Sequence, residues 1–295
     1  MNIASRRVAL NDAPRQFQGS VNVRPYGELV FDQDQSNAPA GGQGILLRAV
    51  LAGKRMLVKL FTEPMARRLQ QIVDLQLHLK DSILFAAFPI RQERWKLAND
   101  EVFDSTIMPD LNADGVRTIR LDDWLALPAT QANLKYRQNV ASQLWCLVQQ
   151  LEKRSLVHCD LSSSNLMISI INGIPYLRVV DLENLTGPGI DGHTQCAGLP
   201  AYQYAELRNG TTNRVESDRY AAAILTVEII YAPELIKATG DASLFGLDDE
   251  HTGKFLPNVD GRIAQFFRPH TGGQIWRAIP EPKAWLKVLG TWLGQ

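Results

Sequence analysis

The residues best suited to chemistry lie close together in the second half of the chain. Asp160 and Asn165 are five positions apart, and Asp181 follows at the end of a strand-like run. This set suits phosphoryl transfer, because one carboxylate can accept the proton of an attacking hydroxyl while an amide and a second carboxylate hold Mg²⁺ on nucleotide phosphates. The spacing therefore predicts Asp160 as catalytic base and Asn165 and Asp181 as metal ligands.

The wider motif adds a family resemblance to this prediction. His158-Cys159-Asp160-Leu161-Ser162-Ser163-Ser164-Asn165, followed by Val179-Val180-Asp181, resembles the catalytic and metal-binding loops of the protein kinase superfamily. It is most similar to divergent bacterial kinases of eukaryotic type. The resemblance implies an ATP- and Mg²⁺-dependent serine/threonine protein kinase, in which Mn²⁺ can replace Mg²⁺. Some relatives are encoded beside a metal-dependent protein phosphatase and a von Willebrand A-type protein, so these join the protein substrate as expected partners.

Lys59 ends a strand-like run that a hairpin precedes and a predicted helix follows. The resemblance implies that this lysine is catalytic, holding the α- and β-phosphates, and that Asp74 on the helix is its acidic partner. The alternative for each of these two residues is a solvated position on the protein surface.

A glycine-containing segment, Gly41-Gly42-Gln43-Gly44, comes before that lysine. Its backbone N–H groups could approach a phosphate without obstruction by Cβ atoms. Gly41, Gly42 and Gly44 are therefore expected to bind nucleotide, together with Met108 near the end of a later strand. A flexible linker is the alternative, because the third glycine and the later valine of the kinase pattern G-x-G-x-x-G-x-V are missing.

Several positions depart from the kinase pattern. His158 is interpreted as a scaffold residue rather than a base. Cys159 replaces the arginine that often binds a phosphate on the activation segment, so switching by that pairing is not expected. Ser162 replaces a lysine, and Glu183 replaces the glycine that usually follows the metal-binding aspartate. Glu183 either tunes the metal site or points to solvent, and solvent is the favoured interpretation.

Two further segments resemble protein kinases rather than small-molecule phosphotransferases. The segment from Gly198 to Glu206 resembles the end of a kinase activation segment, and Ser217-Asp218 resembles the start of the large helix that follows it. In the family this aspartate bonds to the backbone of the catalytic loop. The family glutamate that corresponds to Glu206 forms a buried ion pair with an arginine. Candidates for that arginine here are Arg262, Arg268 and Arg277.

The surrounding sequence predicts the elements that position these residues. Strand-like runs occupy residues 27–31, 45–50, 56–61, 94–97 and 102–108, with a helix from Thr62 to about Lys80 among them. Further helices are expected at residues 134–154, 217–231 and 281–295, the last with Trp285, Leu289 and Trp292 on one face. The expectation is an α+β, two-lobed protein-kinase-like fold, with a β-rich N-lobe at residues 1–109 and a mainly helical C-lobe at residues 110–295.

Composition is that of an ordinary globular protein. The 295 residues are 45% hydrophobic, and 31 basic residues balance 31 acidic ones, so no overall field favours nucleic acid or anionic membranes. No apolar stretch approaches the roughly 20 residues of a membrane span, and no signal peptide is recognisable. The 3 cysteines have no paired spacing. These features predict a cytoplasmic protein without a disulfide framework.

Two other functions compete with an active protein kinase. A pseudokinase that acts as a binding module is supported by the irregular glycine segment, by Ser162 and by Glu183. A small-molecule phosphotransferase shares the H-x-D-x-x-x-x-N motif and a later aspartate, although the segment that ends at Glu206 argues against it.

Overall fold

The computed structural model describes residues 20–33, 35, 40–41, 44–79, 82–96, 100–191, 198–199, 202–203, 214–240, 242 and 279–293. Residues 1–116 form one compact unit and residues 117–295 form a second. Both units combine helix with antiparallel sheet, so the fold is α+β. The units divide after Val116, whereas the sequence predicted a lobe boundary after Pro109. Among the helices described, none has both the length and the apolar character needed to cross a membrane.

One seven-stranded antiparallel sheet makes up most of the N-terminal unit. Its strands are β1 (Ser20–Val23), β2 (Gly27–Phe31), β3 (Ala40–Gly41), β4 (Gly44–Leu51), β5 (Lys54–Phe61), β6 (Arg91–Lys96) and β7 (Val102–Pro109). The spatial order is β1-β2-β4-β5-β7-β6, with β3 paired to β4. All five strands predicted in this region are present, each shifted by at most a few residues.

Residue alternation explains why these segments form a sheet. Along β4 the side chains are alternately buried and partly exposed, which is the period of a strand with one face on a core. Ala52 and Gly53 join β4 to β5 and both have positive φ, at 50° and 77°. A two-residue turn of this kind matches the right-handed twist of the paired strands. Lys59 is thereby placed opposite Leu46 on β4 and Thr106 on β7.

The predicted helix after β5 is present as α1 (Ala66–Leu79). Its first turn contains no acidic residue of its own. Asp104 on β7 supplies the missing acceptor: its Oδ2 accepts hydrogen bonds from the Met65 and Ala66 N–H groups, at 2.7 and 3.1 Å. A carboxylate at this position satisfies unpaired N–H groups and stabilises the helix dipole. No local sequence pattern predicts this cap, because the capping residue lies 38 positions from Ala66.

The C-terminal unit begins with the short strand β8 (Arg117–Arg120) and is mainly helical. It contains α2 (Leu121–Ala126), α3 (Pro128–Gln131), α4 (Leu134–Glu152), β9 (Leu166–Ile171), β10 (Ile174–Val179), α5 (Val215–Ile230), α6 (Ala232–Thr239) and α7 (Pro282–Leu293). The three strands form a separate antiparallel sheet in the order β10-β9-β8. The helices predicted at 134–154, 217–231 and 281–295 correspond to α4, α5 and α7.

Helix α4 lies at the centre of this unit, where it packs on α5 and α7. Trp145 of α4 stacks on Trp285 of α7 with ring centroids 4.6 Å apart. The Trp145 indole N–H donates to Thr226 Oγ1 of α5 at 2.9 Å. Trp285 and Leu289 are fully buried, as the predicted apolar face required. This core fixes the two helices, α4 and α5, whose ends lead into the candidate site.

Candidate active site

Two residues predicted as metal ligands, Asn165 and Asp181, are brought together by a β-hairpin. Asn172-Gly173 forms its turn with φ of 52° and 78°, and β9 and β10 pair so that Leu166 lies opposite Val179. The Val180 N–H then bonds to the Asn165 carbonyl at 3.0 Å. The chain turns sharply at Asp181, which has a left-handed φ of 57°. Asn165 and Asp181 are therefore neighbours in space, because one hairpin makes up the sequence between them.

Asp160 is held directly by Asn165. The Asn165 amide Nδ2 donates to Asp160 Oδ2 at 2.9 Å and to the Asp160 carbonyl at 2.8 Å. With its N–H groups bound in this way, Asn165 leaves Oδ1 without a hydrogen bond from any described residue. Asn165 is 7% exposed. A nearly buried amide oxygen beside a carboxylate is a suitable ligand for a hard divalent cation.

The electrostatics of Asp160 suit a general base. Burial raises the pKa of Asp160 to about 6, and the charges of Asp181 and Glu183 add to the rise, while hydrogen bonds from Asn165 and the Leu199 backbone oppose it. A base is most effective when its pKa lies near the working pH and its carboxylate is still ionised there. Asp160 meets both conditions at neutral pH.

His158 is a structural residue of the same loop. The imidazole is fully buried, and Nε2 lies 3.1 Å from the Val180 carbonyl, to which a neutral ring can donate. Its other nitrogen, Nδ1, accepts from the Asp160 N–H at 3.4 Å. Burial lowers the pKa of His158 to about 4, so the ring is uncharged at neutral pH. These contacts agree with the interpretation of His158 as scaffold.

The buried carboxylate of Asp218 anchors the loop to α5. Its Oδ2 accepts from the His158 N–H at 2.6 Å and its Oδ1 from the Cys159 N–H at 3.1 Å. Cys159 has a left-handed φ of 70°. Such a backbone conformation is unfavourable for a residue with a side chain and persists only when its surroundings hold it. The bond pattern is the one that the family resemblance implied for Asp218.

Gly198 and Leu199 also lie against the loop around Asp160. A small pocket beside Asp160 is lined by Leu161, Leu199, Tyr202, Gln203 and Ala221, among other residues. The Tyr202 hydroxyl lies 3.2 Å from Ser163 Oγ of the loop and 2.9 Å from Glu228 Oε2 of α5. Burial, and then the charge of Glu228, raises the pKa of Tyr202, which therefore stays protonated. Tyr202 lies in the segment from Gly198 to Glu206 that the sequence analysis singled out, but its contacts with Ser163 and Glu228 were not predicted.

The position of the Glu183 side chain differs from the one that we expected. We expected its side chain to point to solvent, but it is only 3% exposed. The short helical turn Leu182–Asn184 directs Leu182 and Glu183 into the unit, and the negative charge of Glu183 raises the pKa of Asp160. Ser162, where kinases often have lysine, is also fully buried, and its Oγ lies 2.8 Å from Ser164 Oγ.

In the N-terminal unit, Lys59 is not a surface residue. It is 8% exposed, and its Nζ lies 5.6 Å from the centre of the Phe61 ring. Asp74, by contrast, lies on the exposed side of α1, where its Oδ1 accepts from Gln70 Nε2 at 2.8 Å. The solvated alternative for Asp74 therefore describes its position, and its pairing with Lys59 stays a prediction. Met108 is partly buried on β7, opposite Leu57 of β5.

Two members of the glycine segment lie on paired strands, because Gly41 of β3 pairs with Gly44 of β4. Gly44 has a clear packing role, because a Cβ there would lie 1.9 Å from the Leu60 carbonyl oxygen. Gly42 lies outside the described residues. So do Glu206 and its three candidate partners, Arg262, Arg268 and Arg277, and Thr194, a hydroxyl residue between Asp181 and Glu206.

Comparison with known proteins adds no assignment. No protein-family model matches the chain, and no curated protein matches it. Within the described residues, no group of three or more His, Cys, Asp or Glu side chains could hold a metal ion.

Proposed function

We propose that this chain is an ATP- and Mg²⁺-dependent protein kinase that phosphorylates serine or threonine hydroxyls of protein substrates. Asp160 is the catalytic base, and Asn165 and Asp181 hold the metal ion. The N-terminal unit is the nucleotide-binding N-lobe, and the C-terminal unit is the C-lobe with the catalytic loop.

The observation that carries the proposal is the hydrogen bonding of the Asn165 side chain. Both contacts of its amide Nδ2 go to Asp160, so the same side chain orients the base and turns an amide oxygen away from it. The hairpin β9–β10 places Asp181 at the end of the strand that pairs with the one after Asn165. A base and two oxygen ligands at one end of a hairpin are the parts that phosphoryl transfer needs.

The loop around Asp160 supports the proposal independently. Asp218 binds two successive N–H groups of the loop, and buried His158 binds the Val180 carbonyl next to Asp181. The positions of the base and of the metal-binding turn are therefore fixed by the same few bonds. Such preorganisation is useful for a reaction that depends on positioning and electrostatics more than on covalent catalysis.

In the proposed reaction, the acceptor hydroxyl oxygen bonds to the γ-phosphorus, and the bond from that phosphorus to the oxygen of ADP breaks. The hydroxyl proton passes to Asp160, whose carboxylate is largely ionised at neutral pH. Mg²⁺ held by Asn165 Oδ1 and the Asp181 carboxylate would neutralise charge on the phosphates. Asn165 also keeps Asp160 Oδ2 in a fixed orientation during proton transfer.

The nucleotide-binding roles of the N-terminal unit belong to the same proposal. Lys59 would contact the phosphates, with Asp74 as the predicted partner, and Gly41, Gly42 and Gly44 would contribute backbone N–H groups. Lys59 is a candidate for this role because it lies on an interior strand of the sheet and is only 8% exposed, so its position is fixed by the surrounding sheet.

The proposal is tested with purified protein, labelled ATP, Mg²⁺ and a generic protein acceptor, and the products are identified by intact mass. Asp160→Ala is expected to abolish transfer while nucleotide binding remains, because the base contacts the acceptor hydroxyl and not the nucleotide. Lys59→Ala is expected to lower the rate and to raise the KM for ATP. Near-wild-type transfer by Asp160→Ala would show that Asp160 is structural.

Thermal unfolding separates the competing functions. Mg-ATP at about 100 times its Kd should add about 2.7 kcal/mol to the free energy of unfolding, and Asp181→Asn should remove most of the metal-dependent part. A wild-type protein that is stabilised by Mg-ATP but transfers no phosphate to any acceptor would be a pseudokinase. Transfer to small alcohols but not to proteins would indicate a small-molecule phosphotransferase.

A further inference from the structure

Gly198 and Leu199 lie next to the carboxylate of Asp160. Leu199 lines the same pocket as Asp160, and its backbone opposes the rise that burial causes in the pKa of Asp160, which is the effect of an N–H directed at the carboxylate. A Cβ on Gly198 would lie 3.0 Å from Asp160 Oδ1 and 3.1 Å from the Cys159 carbonyl oxygen. The Leu199 side chain points away from the core and is 45% exposed. The same Cβ on Gly198 would lie 3.0 Å from Gln203 Nε2, and Leu199 itself has only its main chain to offer Asp160 as a donor.

We propose that Leu199 is a positioning residue for Asp160 and acts through its backbone N–H, and that Gly198 is needed to allow this close approach. The inference rests on the proposed function, since it concerns the orientation of the base. Asn165 binds Asp160 from within the catalytic loop, and Leu199 binds it from a different segment. Two donors from separate segments hold a carboxylate in one orientation better than one donor does.

The two bonds leave Asp160 able to act. An ionised carboxylate has two oxygens and about four acceptor positions, so two donors do not saturate it. The pocket beside Asp160 is lined by Leu199 itself and by Tyr202. An acceptor hydroxyl that enters this pocket would find the Asp160 carboxylate already oriented for proton transfer.

The segment that carries Leu199 is itself anchored. The Tyr202 N–H donates to the Leu199 carbonyl at 3.0 Å. The Tyr202 hydroxyl then contacts Ser163 of the catalytic loop and the buried carboxylate of Glu228. Leu199 is therefore held by a connected set of bonds, and its N–H can act as a fixed donor.

Four variants test the inference in the phosphoryl-transfer assay. Leu199→Pro removes the N–H, whereas Leu199→Ala keeps it and removes only the exposed side chain. Gly198→Ala introduces the crowded Cβ. Gly290→Ala is the matched control, because a Cβ at Gly290 in α7 would meet nothing within 4 Å.

Leu199→Pro and Gly198→Ala are each expected to lower kcat by about a hundredfold, which is the scale of a misplacement of about 1 Å. Their KM for ATP and their stabilisation by Mg-ATP should remain those of wild type, which a general loss of structure would not allow. Leu199→Ala should keep most of kcat and raise the KM of the protein acceptor. Equal kcat in Leu199→Pro and Leu199→Ala, together with a fully active Gly198→Ala, would overturn the inference.

Amide NMR gives a result that does not depend on transfer. The Leu199 amide proton of the ¹⁵N-labelled protein is expected to move upfield in Asp160→Ala, because its carboxylate acceptor is gone, while the Gly290 amide stays unchanged. A Leu199 amide that does not respond overturns the inference even if the protein is an active kinase. A responding amide in a protein that transfers no phosphate confirms the contact and shows that the proposed function is wrong.

Discussion

Replacing Asp218 by asparagine should change the stability of the protein in a way that depends on pH. Two effects compete at this carboxylate. Burial, helped by the charges of Glu152 and Asp160, raises the pKa of Asp218 to about 7, whereas the N–H groups of His158 and Cys159 favour the ionised form and oppose the rise. Because burial is the larger effect, the folded protein binds this proton more tightly than the unfolded chain does.

The sign and size of the effect follow from linkage. Stability from a group with a raised folded pKa is fully present below its unfolded value, 3.8 for Asp218, and is lost as pH rises towards about 7. Between pH 5 and pH 8 this loss amounts to about 2–3 kcal/mol in wild type. Asparagine does not titrate, so Asp218→Asn should gain about this much stability relative to wild type over the interval. In Asp218→Asn the side-chain NH₂ group must lie opposite one of the two backbone N–H groups, which lowers stability. This loss does not depend on pH, so it cancels when the values at pH 5 and pH 8 are subtracted.

Urea unfolding at pH 5 and pH 8, at constant ionic strength, measures this change. Near-ultraviolet circular dichroism reports on the stacked rings of Trp145 and Trp285, both in the C-terminal unit. The matched control is Asp123→Asn, because Asp123 is exposed at the start of α2 in the same unit. A difference between Asp218→Asn and wild type that is constant from pH 5 to pH 8 would refute the reasoning. In that case the hydrogen bonds from the His158 and Cys159 N–H groups, and not burial, would determine the pKa of Asp218.

Three other predictions use the same protein. The value of kcat/KM for transfer should rise with pH through about 6 as Asp160 ionises, and a profile that is flat from pH 5 to pH 8 would argue against this base. Gly44→Ala should lower the free energy of unfolding by about 3 kcal/mol or more, because its Cβ would overlap the Leu60 carbonyl oxygen, whereas Gly290→Ala should not. The double variant Thr186→Ala/Thr194→Ala should keep activity within a few-fold, since Cys159 cannot bind a phosphate as arginine does. Collapse of that variant, with rescue by glutamate at both positions, would reveal a phosphate switch.

The sequence predicted the elements of the site well where periodicity and local signals agree. The long apolar stripe of α4 and the alternation along β4 are properties of neighbouring residues, so they are retained in the fold. The relation between Asn165 and Asp181 was also predictable, because one hairpin connects them. In each case the deciding contacts are close in sequence.

The features that sequence reasoning missed depend on contacts between distant residues. Asp104 caps α1 from another strand, and Glu228 receives the Tyr202 hydroxyl from 26 positions away. Glu183 was expected in solvent because a carboxylate is usually exposed. Its burial follows from the turn after Asp181, whose left-handed backbone directs the next residues inward. None of these contacts leaves a pattern in the local sequence.

The distribution of the candidate residues implies that binding and transfer can be separated by mutation. The parts proposed for proton transfer, namely Asp160, Asn165, Asp218 and Leu199, are linked by hydrogen bonds inside the C-terminal unit. The lysine proposed to hold the phosphates belongs to the sheet of the N-terminal unit. A change at Asp160 or Leu199 should therefore reduce kcat and leave the KM for ATP almost unchanged, while a change at Lys59 should alter both. If both kinds of change reduced nucleotide affinity equally, the division of roles between the units would be wrong.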